Sequence, residues 1–112
     1  MLTWEAVVEF GKTLPGVEES AWDGTPELVV HRMGFVRLLP EGDSLAIRCT
    51  LSEKDVLLHS GDPGVFTTHD YDGYGAILVH LDQYDEVTDL KELIIEAWRI
   101  IVALPVQAGE GG

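Results

Sequence analysis

The sequence predicts a two-layer α+β domain in which an antiparallel sheet carries helices on one face. Three strand-like segments follow one another through tight turns, and segments with helical periodicity stand at both ends of the chain. The predicted order is α-β-β-β-α-(β)-β-α. We expect residues 1–104 to form a single domain and residues 105–112, which end in QAGEGG, to be a disordered tail.

The first helix is predicted to begin after Thr3, whose hydroxyl can cap its amino end. Trp4 and Val7 fall at helical spacing within it. Leu14-Pro15-Gly16 ends the helix, because the residue before a proline avoids the helical region. An acidic loop that contains Gly24-Thr25-Pro26 is expected to follow.

Three strands are predicted next, at residues 27–31, 35–39 and 44–51. Met33-Gly34 and residues 40–43 supply the tight turns between them. The third strand alternates, so that one face receives Leu45, Ile47, Cys49 and Leu51 and the other Ala46, Arg48 and Thr50.

The second half of the chain is predicted to start with a short helix at residues 52–60, capped by Ser52. An extended piece around Phe66 and a strand at residues 76–81 complete the sheet. The last helix runs from about residue 86 to 103, and Trp98 on its apolar stripe is expected in the core.

The charge balance restricts the partners of the protein. Seven lysines and arginines stand against twenty aspartates and glutamates, for a formal net charge of −13 at pH 7. Such a surface repels phosphate backbones, although it also serves solubility. The single cysteine excludes an internal disulfide framework and fits the cytoplasm. No targeting segment or membrane-spanning apolar run is visible, so we expect no membrane partner.

A turn at residues 40–43 would set Val36 opposite Ile47 and Leu38 opposite Leu45. This register gives the outer face of the sheet Phe35, Arg37, Ala46 and Arg48. An aromatic ring between two arginines is the most suggestive constellation in the chain. Solvated arginines beside one exposed ring are the ordinary alternative.

The stretch TTHDYDGYGAILVHL, residues 67–81, contains side chains of the metal-ligand type. His69, Asp70 and Asp72 offer nitrogen and oxygen atoms, but an EF-hand loop aligned on Gly73 would need a glutamate where Val79 stands. We therefore expect no metal site and interpret this stretch as a turn with tyrosines on its rim, leading into a strand.

No pattern indicates catalysis. Cys49 lies on the apolar face of its strand, where burial makes a thiol inert, and no histidine has a serine or cysteine at catalytic spacing. Gly-rich phosphate loops, CxxC and HExxH patterns are absent from the sequence. We expect a protein that is not an enzyme and needs no cofactor, and an enzyme of another type stays an open alternative.

A series of short motifs resembles the MmcQ/YjbR family of small bacterial proteins. The motifs are Leu14-Pro15-Gly16-Val17-Glu18-Glu19, Trp22-x-Gly24-Thr25-Pro26, Phe35-x-Arg37-Leu38, Asp43-Ser44-Leu45-Ala46-Ile47-Arg48-Cys49, Phe66-x-Thr68-x-x-Tyr71-x-Gly73-Tyr74, Leu78-Val79-x-Leu81-Asp82 and Glu96-Ala97-Trp98-Arg99. The resemblance implies a fold like those of CyaY (frataxin) and of secretion chaperones, and it implies DNA binding, the label that such proteins commonly carry.

The loop before the last strand departs from the family pattern Thr-Pro-His-Tyr-x-Gly-Tyr-Pro. His69, Asp70 and Gly75 stand where the pattern has proline, histidine and proline, and His80 replaces the usual basic residue of the last strand. Three of these four changes remove a rigid or basic group from the loop.

We therefore expect a cytoplasmic binding module whose candidate ligand-binding residues are Phe35, Arg37, Arg48, Tyr71 and Tyr74. Three functions stay open: a protein-interaction or chaperone-like module with an unknown partner or a second copy, a DNA-binding protein, and an acidic cation-binding module resembling frataxin. The last would use helix acids such as Glu5, Glu9, Asp89, Glu92 and Glu96.

Overall fold

The computed structural model describes residues 1–105, and within them it confirms the α+β class. In chain order the elements are α1 (Trp4–Gly11), β1 (Glu18–Trp22), β2 (Thr25–Val30), β3 (Met33–Leu38), β4 (Ser44–Arg48), α2 (Leu51–Leu58), β5 (Val65–Phe66), β6 (Ala76–His80) and α3 (Lys91–Val102). Short 3-10 helices cover His69–Tyr71, Leu81–Gln83 and Val87–Leu90. The predicted tail lies outside the described residues, apart from Pro105.

All strand pairs are antiparallel, and the sheet order is β1-β2-β3-β4-β6-β5. Within residues 1–105, no helix is both long and apolar enough to cross a bilayer. The last helix begins at Lys91 rather than near residue 86, because a 3-10 helix fills the four preceding positions.

Strand β1 replaces part of the predicted acidic loop. It pairs with β2 through Asp23 and Gly24, which have φ angles of 52° and 81°. Two residues in this left-handed conformation connect strands with the right twist, and Asp-Gly is a preferred pair for it. All five residues of β1 are exposed, so the strand carries no alternating apolar pattern for sequence analysis to detect.

The next turn lies two residues earlier than predicted. His31 and Arg32 form it, with φ angles of 51° and 65°, whereas Met33 and Gly34 belong to β3. Non-glycine residues seldom adopt such angles, so the Met33-Gly34 pair was the more suggestive turn signal in the sequence. The turn places Arg32 at the end of the hairpin.

The predicted register between β3 and β4 is confirmed, with Val36 opposite Ile47 and Leu38 opposite Leu45. The predicted exposure of Phe35 is wrong, because its side chain is only 2% exposed and belongs to the core. The register of β2 on β3 shifts between Leu28 and Val29, which leaves Phe35 without a partner in β2. This extra residue breaks the strict alternation along β3.

The core lies between the sheet and the helices. The fully buried side chains include Leu28, Val36 and Ile47 from the sheet, and Val7 and Ile94 from α1 and α3. Helices on one face of an antiparallel sheet form the predicted two layers.

The burial of Trp98 is lower than predicted, because the sequence placed this residue in the core. It is only partly buried at the core border, where its indole Nε1 donates a hydrogen bond of 2.9 Å to the carbonyl oxygen of Pro15. Its polar nitrogen thereby keeps a partner, as half-buried tryptophans usually do.

Replacing Phe35 by alanine should lower the free energy of unfolding by about 3–5 kcal/mol, because a buried ring is removed and a cavity remains. Trp22→Ala is the matched control, since Trp22 is 57% exposed on the same sheet. The control should cost no more than about 1 kcal/mol. Urea unfolding measures the free energy of unfolding of both variants, and equal losses would show that Phe35 is not a core residue.

Candidate functional site

A groove of about 490 Å³ lies on the outer face of the sheet, and we call it the sheet groove. It is bordered by strands β1, β2, β3 and β4 and by the loop before β6, residues 67–75, which we call the tyrosine loop. Its lining side chains include the arginines Arg32, Arg37 and Arg48, the aromatics Trp22, Tyr71 and Tyr74, and the acid Glu27. Four of the five predicted site residues therefore meet with accessible side chains, and Phe35 borders the groove with a buried one.

Arg37 is held at the centre of this groove by two aromatic side chains. Its Nη2 donates a hydrogen bond of 2.5 Å to the hydroxyl oxygen of Tyr71. Its guanidinium carbon lies 4.8 Å from the centroid of the Trp22 ring, which is cation–π distance. The pairing of Arg37 with Ala46 keeps the space beside it open, because the facing side chain is a methyl group.

The other two arginines approach from different elements. Arg48, at the end of β4, donates from Nε to the carbonyl oxygen of Gly34 at 3.1 Å. Its two terminal nitrogens have no protein hydrogen-bond partner within residues 1–105. Arg32 is exposed in the β2–β3 turn, so its guanidinium can reach a ligand at the rim.

The positive charge of the groove is not cancelled by ion pairs. Across residues 1–105, no carboxylate oxygen lies within 4.0 Å of a nitrogen of Arg32, Arg37 or Arg48, although Glu27 borders the groove. The fourth arginine, Arg99, does pair with Glu96 at 2.6 Å. Three of the four arginines thus converge on one groove in a chain of net charge −13.

A buried lysine fixes the tyrosine loop. Lys54 of α2 is 6% exposed, and its Nζ donates to the carbonyl oxygens of Tyr71 and Tyr74 at 2.5 and 2.9 Å. The two tyrosine rings meet edge to face with centroids 5.6 Å apart. These bonds hold one wall of the groove, because a buried ammonium group requires its acceptors.

The residue that caps the amino end of helix α2 differs from the predicted one. Thr50, rather than Ser52, accepts from the backbone N–H of Glu53, and the Glu53 carboxylate accepts from the N–H of Thr50. These two reciprocal hydrogen bonds form a capping box, and the helix begins at Leu51. The spacing Thr50-x-x-Glu53 is visible in the sequence and could have located the helix start.

The side chains that suggested a metal ligand set are not among those that line the sheet groove. His69 Nδ1 is 3.3 Å from a carboxylate oxygen of Asp72, and both side chains are largely exposed. Among residues 1–105, no group of three or more histidine, cysteine or acidic side chains is arranged to hold a metal ion, and this includes the helix acids. The cation-binding hypothesis therefore gains no geometric support.

Two other side chains serve packing. Cys49 is buried, and this burial, with a smaller contribution from the Glu53 carboxylate, raises the pKa of its thiol while Lys54 acts in the opposite direction. A raised pKa keeps the thiol protonated and poorly nucleophilic. His80 stacks on Phe66 with ring centroids 3.9 Å apart.

The sequence reasoning missed Trp22, Arg32 and Lys54. Trp22 lies in the undetected strand β1, and Arg32 lies in the misplaced turn. Sequence analysis of a helix predicts that a lysine such as Lys54 is exposed to solvent, because buried lysines are rare.

Comparisons with known proteins give one family match and several uncharacterised relatives. A family model described as YjbR matches residues 12–100. Uncharacterised proteins of Mycobacterium bovis and of two Mycobacterium tuberculosis strains are each 47% identical to the chain over 60 residues. That stretch is 53% of this chain and 46% of each relative, so the chain spans about half the length of the curated relatives it matches.

The replacement Lys54→Met should lower the free energy of unfolding by about 1–3 kcal/mol, because it leaves two loop carbonyls without their charged donor. Lys91→Met is the control, since Lys91 is an exposed lysine at the start of α3. It should stay within about 0.5 kcal/mol of the parent. Urea titrations compare the three proteins, and an unchanged stability of Lys54→Met would show that these bonds hold nothing in place.

Proposed function

This chain belongs to the YjbR family, and we propose that it is a binding module whose sheet groove takes one nucleotide unit, a planar base that carries a phosphate. The observation that supports the proposal is the convergence of three arginines without carboxylate partners on a groove lined by three aromatic side chains. The three like charges repel one another, and an anion bound among them would relieve that repulsion.

The groove offers separate places for the two halves of this ligand. Arginine guanidinium groups bind phosphate oxygens through paired hydrogen bonds, and the terminal nitrogens of Arg48 have no protein hydrogen-bond partner among residues 1–105. Tyr74 is 61% exposed and Trp22 is 57% exposed, so both can stack on a base. The groove volume of about 490 Å³ lies within the range of small-ligand sites.

A long nucleic acid fits this surface less well than a single unit. The groove holds three arginines, and the net charge of −13 repels phosphates that extend beyond it. A duplex would also keep its bases stacked away from Trp22 and Tyr74. DNA binding therefore enters the proposal only as the capture of a single-stranded unit.

A protein-interaction role is the second candidate, and a different surface favours it. Helices α2 and α3 border an apolar groove whose lining includes Val56, Leu57 and Leu93, and this groove shares Arg48 with the sheet groove. The nucleotide proposal does not depend on that surface.

The variants Arg37→Ala and Arg48→Ala should each weaken the binding of deoxythymidine monophosphate by at least about tenfold, because a hydrogen bond to a charged group contributes about 1.5–3 kcal/mol. Arg99→Ala is the control, since Arg99 pairs with Glu96 outside the groove. Isothermal titration calorimetry gives the affinities. Each arginine variant should lose only about 1 kcal/mol of stability, the value of one hydrogen bond. A variant that unfolds would identify its arginine as structural and contradict the site.

Oligothymidylates of increasing length distinguish a free nucleotide from a strand. The logarithm of their affinity should fall with the logarithm of the salt concentration at a slope no steeper than about −2, because three arginines displace few counterions. Oligothymidylate annealed to oligoadenylate should not bind. The proposal fails if the mononucleotide does not bind at millimolar concentration, or if strand affinity rises steeply with length.

A further inference from the structure

Helix α2 has its polar and apolar residues reversed with respect to an ordinary surface helix. Its lysine, Lys54, is buried, whereas Val56 is 69% exposed. A surface helix normally turns aliphatic residues to the core and lysines to water. The reversal leaves apolar surface on the outside of the helix.

This surface continues into a groove of about 330 Å³ between α2 and α3, which we call the interhelical groove. Val56, Leu57, Leu93 and the buried Cys49 provide apolar lining. The α2 side of the groove consists of residues 52, 53, 56 and 57, and this spacing of one, four and five residues defines one helix face.

The groove is bordered by carboxylates. Glu53 comes from α2, and Glu92 and Glu96 come from successive turns of α3. Glu53 accepts a capping bond from Thr50, and Glu96 pairs with Arg99, but Glu92 has no cation within 4.0 Å among residues 1–105. Arg48 contributes one positive charge to the lining, and its Nε is already bonded to Gly34.

We propose that the interhelical groove docks a basic amphipathic helix of a partner protein. Aliphatic side chains of that helix would enter between Val56 and Leu93, and its lysines or arginines would meet Glu53, Glu92 and Glu96. This is the helix-in-groove mode of recognition, in which an apolar stripe supplies affinity and flanking charges supply orientation.

The charges select this occupant over two others. A second copy of the chain would bring another net charge of −13 to an acidic rim. An anionic bilayer would be repelled for the same reason. Helix α2 has eight residues and α3 has twelve, or about 12 and 18 Å of helix, which suits two to three turns of a partner helix.

The test uses a dye-labelled leucine–lysine peptide of about 14 residues, about 21 Å long as a helix, with leucines at helical spacing. Fluorescence anisotropy should show saturable binding of this peptide. A peptide of the same composition in scrambled order and a leucine–glutamate counterpart should bind at least about tenfold more weakly, because they lack the apolar stripe or the basic charge.

Two variants of the full chain locate the binding. Val56→Asp should weaken it by at least about tenfold, because it places a charge on the apolar lining. Glu92→Lys should weaken it about two- to fivefold, the usual effect of one exposed charge pair. The controls are Leu51→Asp and Glu9→Lys, which make the same charge changes at exposed positions outside the groove and should change affinity by less than about twofold.

Several outcomes would overturn the proposal. Equal binding of the scrambled peptide, or equal losses in the control variants, would reduce the interaction to nonspecific charge attraction. A dimer in sedimentation velocity that Val56→Asp dissociates would make a second copy the occupant. Flotation of the protein with equimolar phosphatidylcholine and phosphatidylglycerol vesicles, if Val56→Asp abolishes it, would identify a membrane as the occupant of the groove. Since none of these variants changes Arg37 or Tyr74, a failure here leaves the nucleotide proposal untouched.

Discussion

The buried ammonium group of Lys54 lies between helix α2 and the tyrosine loop, and both grooves depend on it. Burying a charge is unfavourable unless hydrogen bonds replace its water, and here the carbonyl oxygens of Tyr71 and Tyr74 do so. This requirement fixes the loop as one wall of the sheet groove. It also fixes the rotation of α2: Val56 follows two positions after Lys54, about 200° around the helix, and must therefore face outward.

The charge distribution gives the two grooves opposite character. Three arginines converge on the outer face of the sheet, whereas carboxylates border the space between α2 and α3. Arg48 borders both grooves, at the end of β4 where the chain passes from the sheet into α2. A protein with twenty acidic residues thus has one groove lined by arginines and one bordered by carboxylates, and the same segment of chain positions both.

Alternation along a strand decided which parts of the fold could be predicted from the sequence. The sequence of strand β4 alternates cleanly, and the turn at residues 40–43 set the register of β4 with β3. Phe35 was not predicted to be buried because it is the extra residue where the register of β2 on β3 shifts, and the sequence of β3 does not reveal this shift. Strand β1 was not predicted because both of its faces are exposed.

The candidate site was predictable to the extent that it follows from strand faces. Arg37 and Arg48 were found because they share a face of paired strands, and Tyr71 and Tyr74 because the family resemblance marks their loop. Lys54 could not be found in this way, since its role depends on a contact between residues seventeen and twenty positions apart. Trp22 lies in strand β1, which was not predicted, and Arg32 lies in a turn that was predicted two residues too late.

Amide hydrogen exchange tests most directly whether Lys54 holds the tyrosine loop. The loop contains the bonds Tyr71 N–H to Thr68 O and Tyr74 N–H to Tyr71 O. In Lys54→Met, these amides should exchange markedly faster than in the parent, while the amide of Ile47 in the central strand β4 keeps its protection. Equal exchange of the loop amides in the two proteins would contradict the account, because the loop would then hold its shape without the buried ammonium group.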